Sequence, residues 1–367
     1  MENINQVFAE NLKENRMRLG LSQLQLGEML SYSEKSVSKW EAGKAIPGAE
    51  VLVRLARIFG TNVDMLLRVA DAPFYYLGID GGATKTDFWL EDENGNIVRT
   101  VQAESCNPID IGIERAQEVL KRGIRETLNG IPTGLVSMFA GISGGTSAGY
   151  KEVFHRFFEK FGFLHFDNDS DLETALAAAL QGRNGTVAIV GTGSVICNQI
   201  GKERKRIGGY GYLFDRGCCG YDLGHAGLQV AFRSLDMPQY RSELAEEIVA
   251  KMGGNPAEHL SDFYTKGKKY IASFSICVWD TLLRGDPLAK KIVDESVASL
   301  AEQLDVALDA MPEDVEPLVV LVGGQSRYEQ IIRPILEREM KHKNCTIEFC
   351  KQRPVKGALM LAKGEMK

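Results

Sequence analysis

From Phe8 to Gly60 the apolar positions recur at helical spacing and are interrupted at Gly20, 31–33, 43–48 and Gly60, which predicts short helices joined by tight turns. In SQLQLGEML, Ser22 is the expected N-cap with Gln25 as its capping-box partner, and Leu24, Met29 and Leu30 are the expected buried face. Ser33 caps the following helix, in which Val37 and Trp40 turn inward and Glu34, Lys35, Ser36 and Lys39 stay outside. After Asp71-Ala72-Pro73 the pattern changes. YYLGIDGGATKTDFWLEDENGNIVRTVQAE reads as a strand, a glycine turn, a second strand, the tight turn Glu93-Asn94-Gly95-Asn96 and a third strand. TVAIVGTGSVICNQI repeats that strand-and-turn design about 110 residues later, as a duplicated fold would. PLVVLVGGQSRYEQIIRPILEREM is an apolar strand, a Gly-Gly pair and an amphipathic helix.

Composition places these elements in an ordinary globular chain. At 367 residues, 44% hydrophobic and 25% charged, it has room for two or three domains. No run of about 18 apolar residues occurs and the N-terminus has no apolar core, so neither a membrane span nor a signal peptide is expected and the chain is assigned to the cytoplasm. Seven cysteines, at 106, 197, 218, 219, 277, 345 and 350, form no CxxC pair and are expected to be reduced. The first seventy residues hold nine Lys and Arg against eight Asp and Glu, and the remainder 34 against 41. Contact with nucleic acid is therefore expected only of the first segment.

Chemistry suited to an anion gathers at the glycine turns. Gly81 and Gly82 let backbone amides approach a phosphate, Thr84 and Lys85 add a hydroxyl and a charge, and Asp80 at the strand end could hold a hydrated divalent cation. Gly191, Thr192, Gly193 and Ser194 fill the second turn, and Gly323-Gly324 would let a base and ribose lie against the backbone. The motif GxxxxGK[ST] is not the one used.

Two resemblances follow from these stretches. SQLQLGEMLSYSEKSVSKWEAG resembles the helix-turn-helix of the Xre/Cro family, SQxxLAxxLxVSxxxISxWExG, with Gly27 in the usual alanine's place and added helix flexibility expected there. The resemblance implies that Gln23, Ser33 and Ser36 contact backbone or bases of a double-stranded DNA operator, that Lys35 and Lys39 lie towards bases or phosphates, and that the protein pairs as a homodimer. The alternative is a helical bundle used for protein contacts.

The three turns in this order resemble the two phosphate motifs and the adenosine motif of the actin/hexokinase superfamily. Within it, GIDGGATKTDFWL, AGISGG, SDLETALAAALQG, GTGS and GGYGYLFDRGCCGYDLG are most similar to the BadF/BadG/BcrA/BcrD ATPases, which include N-acetylglucosamine kinases. The implied fold class is an all-α helix-turn-helix domain over 1–70, a linker over 71–75, and an α/β two-lobed actin-like (ribonuclease H-like) ATPase over 76–367. One lobe would span about 76–180 plus the C-terminal helix, and the other about 181–350. The implied cofactors are ATP and Mg, the metal held by Asp80 through water.

A kinase of this kind needs a carboxylate to accept the proton of the attacking hydroxyl. DNDSDLETALAAALQG offers Asp167, Asp169 and Asp171, and the family's spacing from an Ala-Leu pair selects Asp171, ahead of Asp169. An aspartate here can equally be a helix cap. By resemblance Asn107 and Asp215 contact the sugar, although an asparagine before proline also forms turns; Asp110 is a weaker candidate. Related loops read GYLFDEGGSGYDIG, so Arg216 stands at an acidic position and Cys218-Cys219 replace Gly-Ser, adding bulk where the backbone is tightly packed. Two readings result: a regulator sensing, and able to phosphorylate, a sugar such as N-acetylglucosamine, or primarily an amino-sugar kinase with an accessory DNA-binding domain. A minor third is an activator of a radical dehydratase with a cysteine-bound cluster, although adjacent cysteines chelate one ion poorly.

Overall fold

A computed structural model describes residues 3–67 and 74–364. The first five helices are α1 (Ile4–Arg18), α2 (Gln23–Leu30), α3 (Glu34–Glu41), α4 (Ala49–Phe59) and α5 (Val63–Leu66). They close over Phe8, Leu12, Leu26, Val37, Leu55 and Phe59. Ser22 Oγ accepts from Gln25 N, and Gln25 Oε1 accepts from Ser22 N at 2.8 Å, so both ends of the capping box are made. The buried face of α2 keeps the expected Leu30 but differs at the other two expected positions. Leu24 and Met29 are half exposed, and Leu26 and Leu30, one turn apart, reach the core together with Gly27. Gly27 is there for packing and not for flexibility: Tyr32 N donates to its carbonyl at 2.9 Å, and a Cβ would sit 2.8 Å from Tyr32 O. Glu41 takes Arg16 Nε at 2.6 Å and Gln23 Nε2 at 2.7 Å, tying α1, α2 and α3 together.

The expected linker residues Asp71-Ala72-Pro73 lie outside the described residues. Phe74 N already donates to Leu135 O at 3.0 Å, and Tyr75 opens the first strand. The remainder holds two five-stranded sheets of one design. The first consists of β1 (Tyr75–Gly81), β2 (Lys85–Asp92), β3 (Ile97–Glu104), β4 (Val136–Ile142) and β5 (His165–Asp169), in the order β3-β2-β1-β4-β5. The second consists of β6 (Gly185–Val190), β7 (Ser194–Ile200), β8 (Glu203–Ile207), β9 (Leu318–Val322) and β10 (Thr346–Phe349), in the order β8-β7-β6-β9-β10. In both, an antiparallel meander is followed by two strands parallel to its first member. The polar, alternating β3 is an outer strand, whereas β4 and β9 are buried throughout, as central parallel strands must be.

Helices α6 (Pro108–Ile111), α7 (Ile113–Leu128) and α8 (Tyr150–Glu159) belong to the first lobe, and α9 (Asp171–Leu180) leads to the second. The second lobe adds α10 (Gly220–Ser234), α11 (Glu243–Met252), α12 (Leu260–Ser273), α13 (Ser275–Leu283), α14 (Pro287–Asp309) and α15 (Glu329–Glu339). Helix α16 (Pro354–Ala362) then returns to the first sheet. Two glycines permit that return: a Cβ on Gly78 would lie 2.8 Å from Leu359 N, and one on Gly357 would lie 2.0 Å from Thr174 O. Fully buried Glu91 fixes the register of α16 through Lys356, at 2.8 Å, and Lys363. Because α9 also packs Leu176 and Leu180 against Val187 and Leu318 of the second sheet, the α9–α16 pair joins the lobes.

Candidate active site

Asp80 is the second-to-last residue of β1, opposite Gly141 on β4 and Asp87 on β2. A Cβ on Gly141 would be 2.3 Å from Thr174 Cγ2, so the missing side chain lets α9 approach the strand ends. Thr174 Oγ1 consequently lies 3.0 Å from Asp80 Oδ1 and 2.8 Å from the carbonyl of Asp171. One hydroxyl hydrogen cannot serve both acceptors. A proton on Asp80 resolves the conflict by donating to Thr174 Oγ1, whose own hydrogen then goes to the Asp171 carbonyl. Burial, reinforced by the charge of Asp171, pushes the Asp80 carboxyl from 3.8 up to about 7, against the opposing Thr174 hydrogen bond.

Asp171 is the first residue of α9, with Ser170 at the N-cap. Burial raises its proton affinity, while the Ser143 hydroxyl and the amides at the helix start oppose the rise. Asp169 is differently placed: it pairs with Lys151 and accepts from Ser170 N at 2.7 Å. Asp167 accepts from Asn168 N at 2.8 Å. Among the three aspartates, Asp171 shares the buried floor with Asp80.

The turns supply amides from some of the expected residues, Thr84, Thr192 and Gly193, and not from Gly82 or Gly191. Gly82 N is spent on Lys85 O and Gly191 N on Gly193 O, each at 2.9 Å, whereas the amides of Ala83, Thr84, Thr192 and Gly193 make no hydrogen bond among the described residues. Gly81 is required by packing, since a Cβ would fall 2.5 Å from Cys106 Sγ. Lys85 Nζ is 3.1 Å from Asp87, which also takes Gln102 at 2.8 Å and Arg353 at 2.7 Å. Ser194 begins β7 against Gly217. Gly323, at φ 116°, lets β9 turn beside β6, where a Cβ would meet Val190 O at 2.7 Å. Above Gly193 and Gly324 the space is open. A short 3₁₀ segment, Gly324–Tyr328, separates that turn from α15, so the helix does not start at the glycines as expected.

Asn107 Oδ1 accepts from Ile109 N at 2.9 Å, capping α6, which leaves Nδ2 without a partner among the described residues. Gly144 packs on this side chain, and its neighbour Ser143 holds Asp171, so the loop after β4 brings Asn107 and Asp171 to one place. Asp110 instead receives Lys268 at 3.1 Å and Lys269 at 3.4 Å from α12, beyond a break at Gly267, and so spans the two lobes. Asp215 accepts from Tyr210 N within its own loop and is not brought to Asp171 or Asn107 by any contact among the described residues.

The adjacent thiols point away from the solvent. Cys218 is buried with Ala188, Val190 and Ile196, and Cys219 caps α10. Their bulk is absorbed by the core of the second lobe. Cys218 adopts φ 58°, a left-handed backbone suited to the glycine of related loops, at a cost of roughly 1–2 kcal/mol. Burial raises both thiols, Cys219 to about 12, so neither supplies a thiolate at neutral pH. All seven cysteines are free, and no cluster of metal-ligating side chains occurs among the described residues. Sequence reasoning missed Ser143 and Thr174, although AGISGG and the Asp171/Thr174 spacing of one helical turn were there to be read.

On the helical head, Lys35 and Lys39 are exposed and share a surface hollow with Gln23 and Lys44. Ser33 and Ser36 bond to each other at 3.0 Å in the α3 cap.

A helix-turn-helix head on a duplicated, two-lobed actin-like fold defines the class. The chain belongs to the BadF/BadG/BcrA/BcrD ATPase family, whose pattern it matches over residues 77–362, and residues 12–66 match a helix-turn-helix family. It is 27% identical over 259 residues, 68% of this chain and 84% of the relative, to an N-acetylmuramic acid/N-acetylglucosamine kinase of Clostridium acetobutylicum. A structure from Chromobacterium violaceum described as a candidate N-acetylglucosamine kinase has the same fold, with a TM-score of 0.64 and 21% identity over 79% of this chain and 99% of that one. A ROK-family transcriptional regulator, described as a homologue of the E. coli MLC protein, overlaps 100% of this chain and 97% of its own at a TM-score of 0.54 and 12% identity. No helix among the described residues is long and apolar enough to cross a membrane.

Proposed function

We propose that the protein is a DNA-binding transcription regulator whose kinase-like domain binds ATP with Mg and senses a sugar such as N-acetylglucosamine. The observation carrying this reading is the union, in one chain, of an Xre-type head with exposed Lys35 and Lys39 and a floor where Asp80, Thr174 and Asp171 meet beneath open glycine turns. The residues suit such a ligand. Two raised carboxyls call for a cation, and the amides at 83, 84, 192 and 193, unpaired among the described residues, call for an anion. When bound, ATP supplies the phosphoryl group and Mg the charge that neutralises it. Asp80 would hold the metal through water, Thr84, Lys85 and Ser194 would face phosphate, and Gly323-Gly324 would lie against the nucleoside.

The second reading, an amino-sugar kinase with an accessory DNA-binding domain, is favoured by the placement of Asp171. Its carboxylate can take the hydroxyl proton of a sugar held by Asn107 Nδ2, with Asp215 reaching the sugar from the other lobe. The likeness to a kinase of N-acetylated sugars supports this chemistry. Burial of Cys218 and Cys219 speaks against a cluster-bearing activator.

A thermal-shift screen of sugars with and without ATP·Mg, followed by binding to the upstream DNA, tests the proposal. ATP·Mg is expected to raise Tm, one sugar to raise it further, and that sugar to change DNA affinity. No response to ATP·Mg, or no DNA binding, overturns the regulator reading. Sugar-dependent ADP release, abolished in Asp171→Asn with ATP affinity intact, establishes the kinase reading, and its absence across the panel removes it.

A further inference from the structure

Beside the second phosphate turn, and apart from the Asp80–Asp171 floor, a cavity opens between the loop 208–217, α10 and α14. Its wall carries Tyr212, Arg216, Tyr221, His225, Ser296 and Ser299. Three rings make one side of it: Tyr212 and Tyr221 have centroids 4.8 Å apart, and His225 stacks on Tyr221 at 5.7 Å with the planes 7° apart.

The charges on this wall are unequally satisfied. Asp215 accepts from Tyr210 N, Asp222 accepts from Gly217 N at 2.7 Å, and Glu295 faces Lys291 at 3.8 Å. The Arg216 guanidinium makes no ion pair or hydrogen bond among the described residues; only its backbone carbonyl is held, by Gln303. Burial, and then the charge of Arg216, lower the pKa of His225, so the ring is neutral at pH 7 and adds no second cation. Among the described residues, one planar cation without a partner thus stands beside an aromatic platform and two serine hydroxyls.

We propose that this cavity binds an anionic sugar, its phosphate or carboxylate held by the Arg216 guanidinium and its ring laid against Tyr212 and Tyr221. The complementarity lies in Arg216, the rings and the hydroxyls, while the carboxylates of Asp215 and Asp222 are turned to backbone amides and that of Glu295 faces Lys291. A guanidinium fork matches the paired oxygens of either anion, the tyrosine faces cover the apolar face of a pyranose, and Ser296 and Ser299 reach its hydroxyls. A neutral sugar would leave Arg216 as it is and gain nothing from it. The inference rests on the proposed sensing of a sugar by the kinase-like domain and names the class of sugar.

The backbone ties this cavity to the nucleotide turn. Gly220 N donates to Gly191 O at 2.8 Å and Tyr221 N to Thr192 O at 3.0 Å, so the residue whose ring floors the cavity also holds the turn from below. An occupant that orders Tyr221 orders the turn as well, which couples sugar and ATP binding.

Calorimetry on the full chain tests this with N-acetylglucosamine, its 6-phosphate, glucuronic acid and inorganic phosphate. At least one charged sugar is expected to bind about tenfold or more tightly than the neutral one, the two charged arms distinguishing phosphate from carboxylate. Arg216→Gln should remove that advantage while neutral-sugar binding and Tm stay unchanged. Equal affinity for neutral and charged sugars, charged-sugar binding unaltered in Arg216→Gln, or inorganic phosphate alone binding as well as the sugar phosphate each overturns the proposal. If no sugar of either kind binds, the sugar reading falls with it.

Discussion

Replacing Asp80 with asparagine should make the protein more stable at pH 8. Folding moves this carboxyl from 3.8 to about 7, chiefly by burial and secondly by the charge of Asp171. A raised acid binds its proton more tightly in the native state than in the unfolded chain, so between those two values unfolding releases a proton and stability falls as pH rises. Below about pH 4 both states are protonated and the group costs nothing; above about pH 7 the whole penalty is present. Roughly three pH units at about 1.4 kcal/mol each give about 4 kcal/mol. The substituted asparagine carries no charge to desolvate and can still meet Thr174 Oγ1. Thermal melts of wild type and Asp80→Asn in EDTA at pH 5 and pH 8 should show a Tm gain at pH 8, on the order of 10 °C, that shrinks towards pH 5. Mg·ATP should narrow the gap by stabilising the ionised wild type and leaving the variant little changed. Parallel pH profiles for the two proteins would refute the argument, because a carboxyl raised by burial and by the charge of Asp171 must cost stability as pH rises.

Other perturbations separate the parts of the molecule. Gly357→Ala forces a Cβ to within 2.0 Å of Thr174 O and 2.7 Å of Ala178 N, and should lower chemical-denaturation stability by about 2 kcal/mol or more by prising α16 from α9; an unchanged midpoint would mean the α9–α16 contact is looser than described. Lys35→Ala with Lys39→Ala should weaken operator binding and lower the slope of log K against log salt by up to about 2, read by fluorescence anisotropy; an unaltered slope would take α3 off the DNA backbone. Ser22→Ala should cost about 1 kcal/mol in head stability through the lost capping box, measured by circular dichroism, with ATP affinity untouched.

Whatever depends on neighbours within one turn of chain was legible from the residues alone. Ser22 with Gln25 and Ser33 with Ser36 set the helix starts of the head, and the glycine turns after β1, β6 and β9 stand where apolar runs end. Repetition of one strand-and-turn design announced two similar sheets. Which groups in those turns are free emerged only on folding. Gly82 and Gly191 were legible as turn glycines, but their amides are consumed within the turns, and the donors left over belong to Ala83, Thr84, Thr192 and Gly193. The face of α2 was misread at two positions because Leu24, Leu26 and Met29 are equally apolar, and only the packing of the neighbouring helices chooses among them. Thr174 meets Asp80 across 94 residues because Gly141 and Gly357 admit α9, and Cys218 and Cys219 turn inward because α10 starts against the second sheet. Local propensity acts through the backbone of a few residues, whereas burial, charge and unspent hydrogen bonds depend on segments that only folding brings together. That the Arg216 guanidinium has no partner among the described residues could not be read from the loop for that reason: Asp215 and Asp222 are taken by backbone amides of the folded loop and Glu295 faces Lys291 on α14.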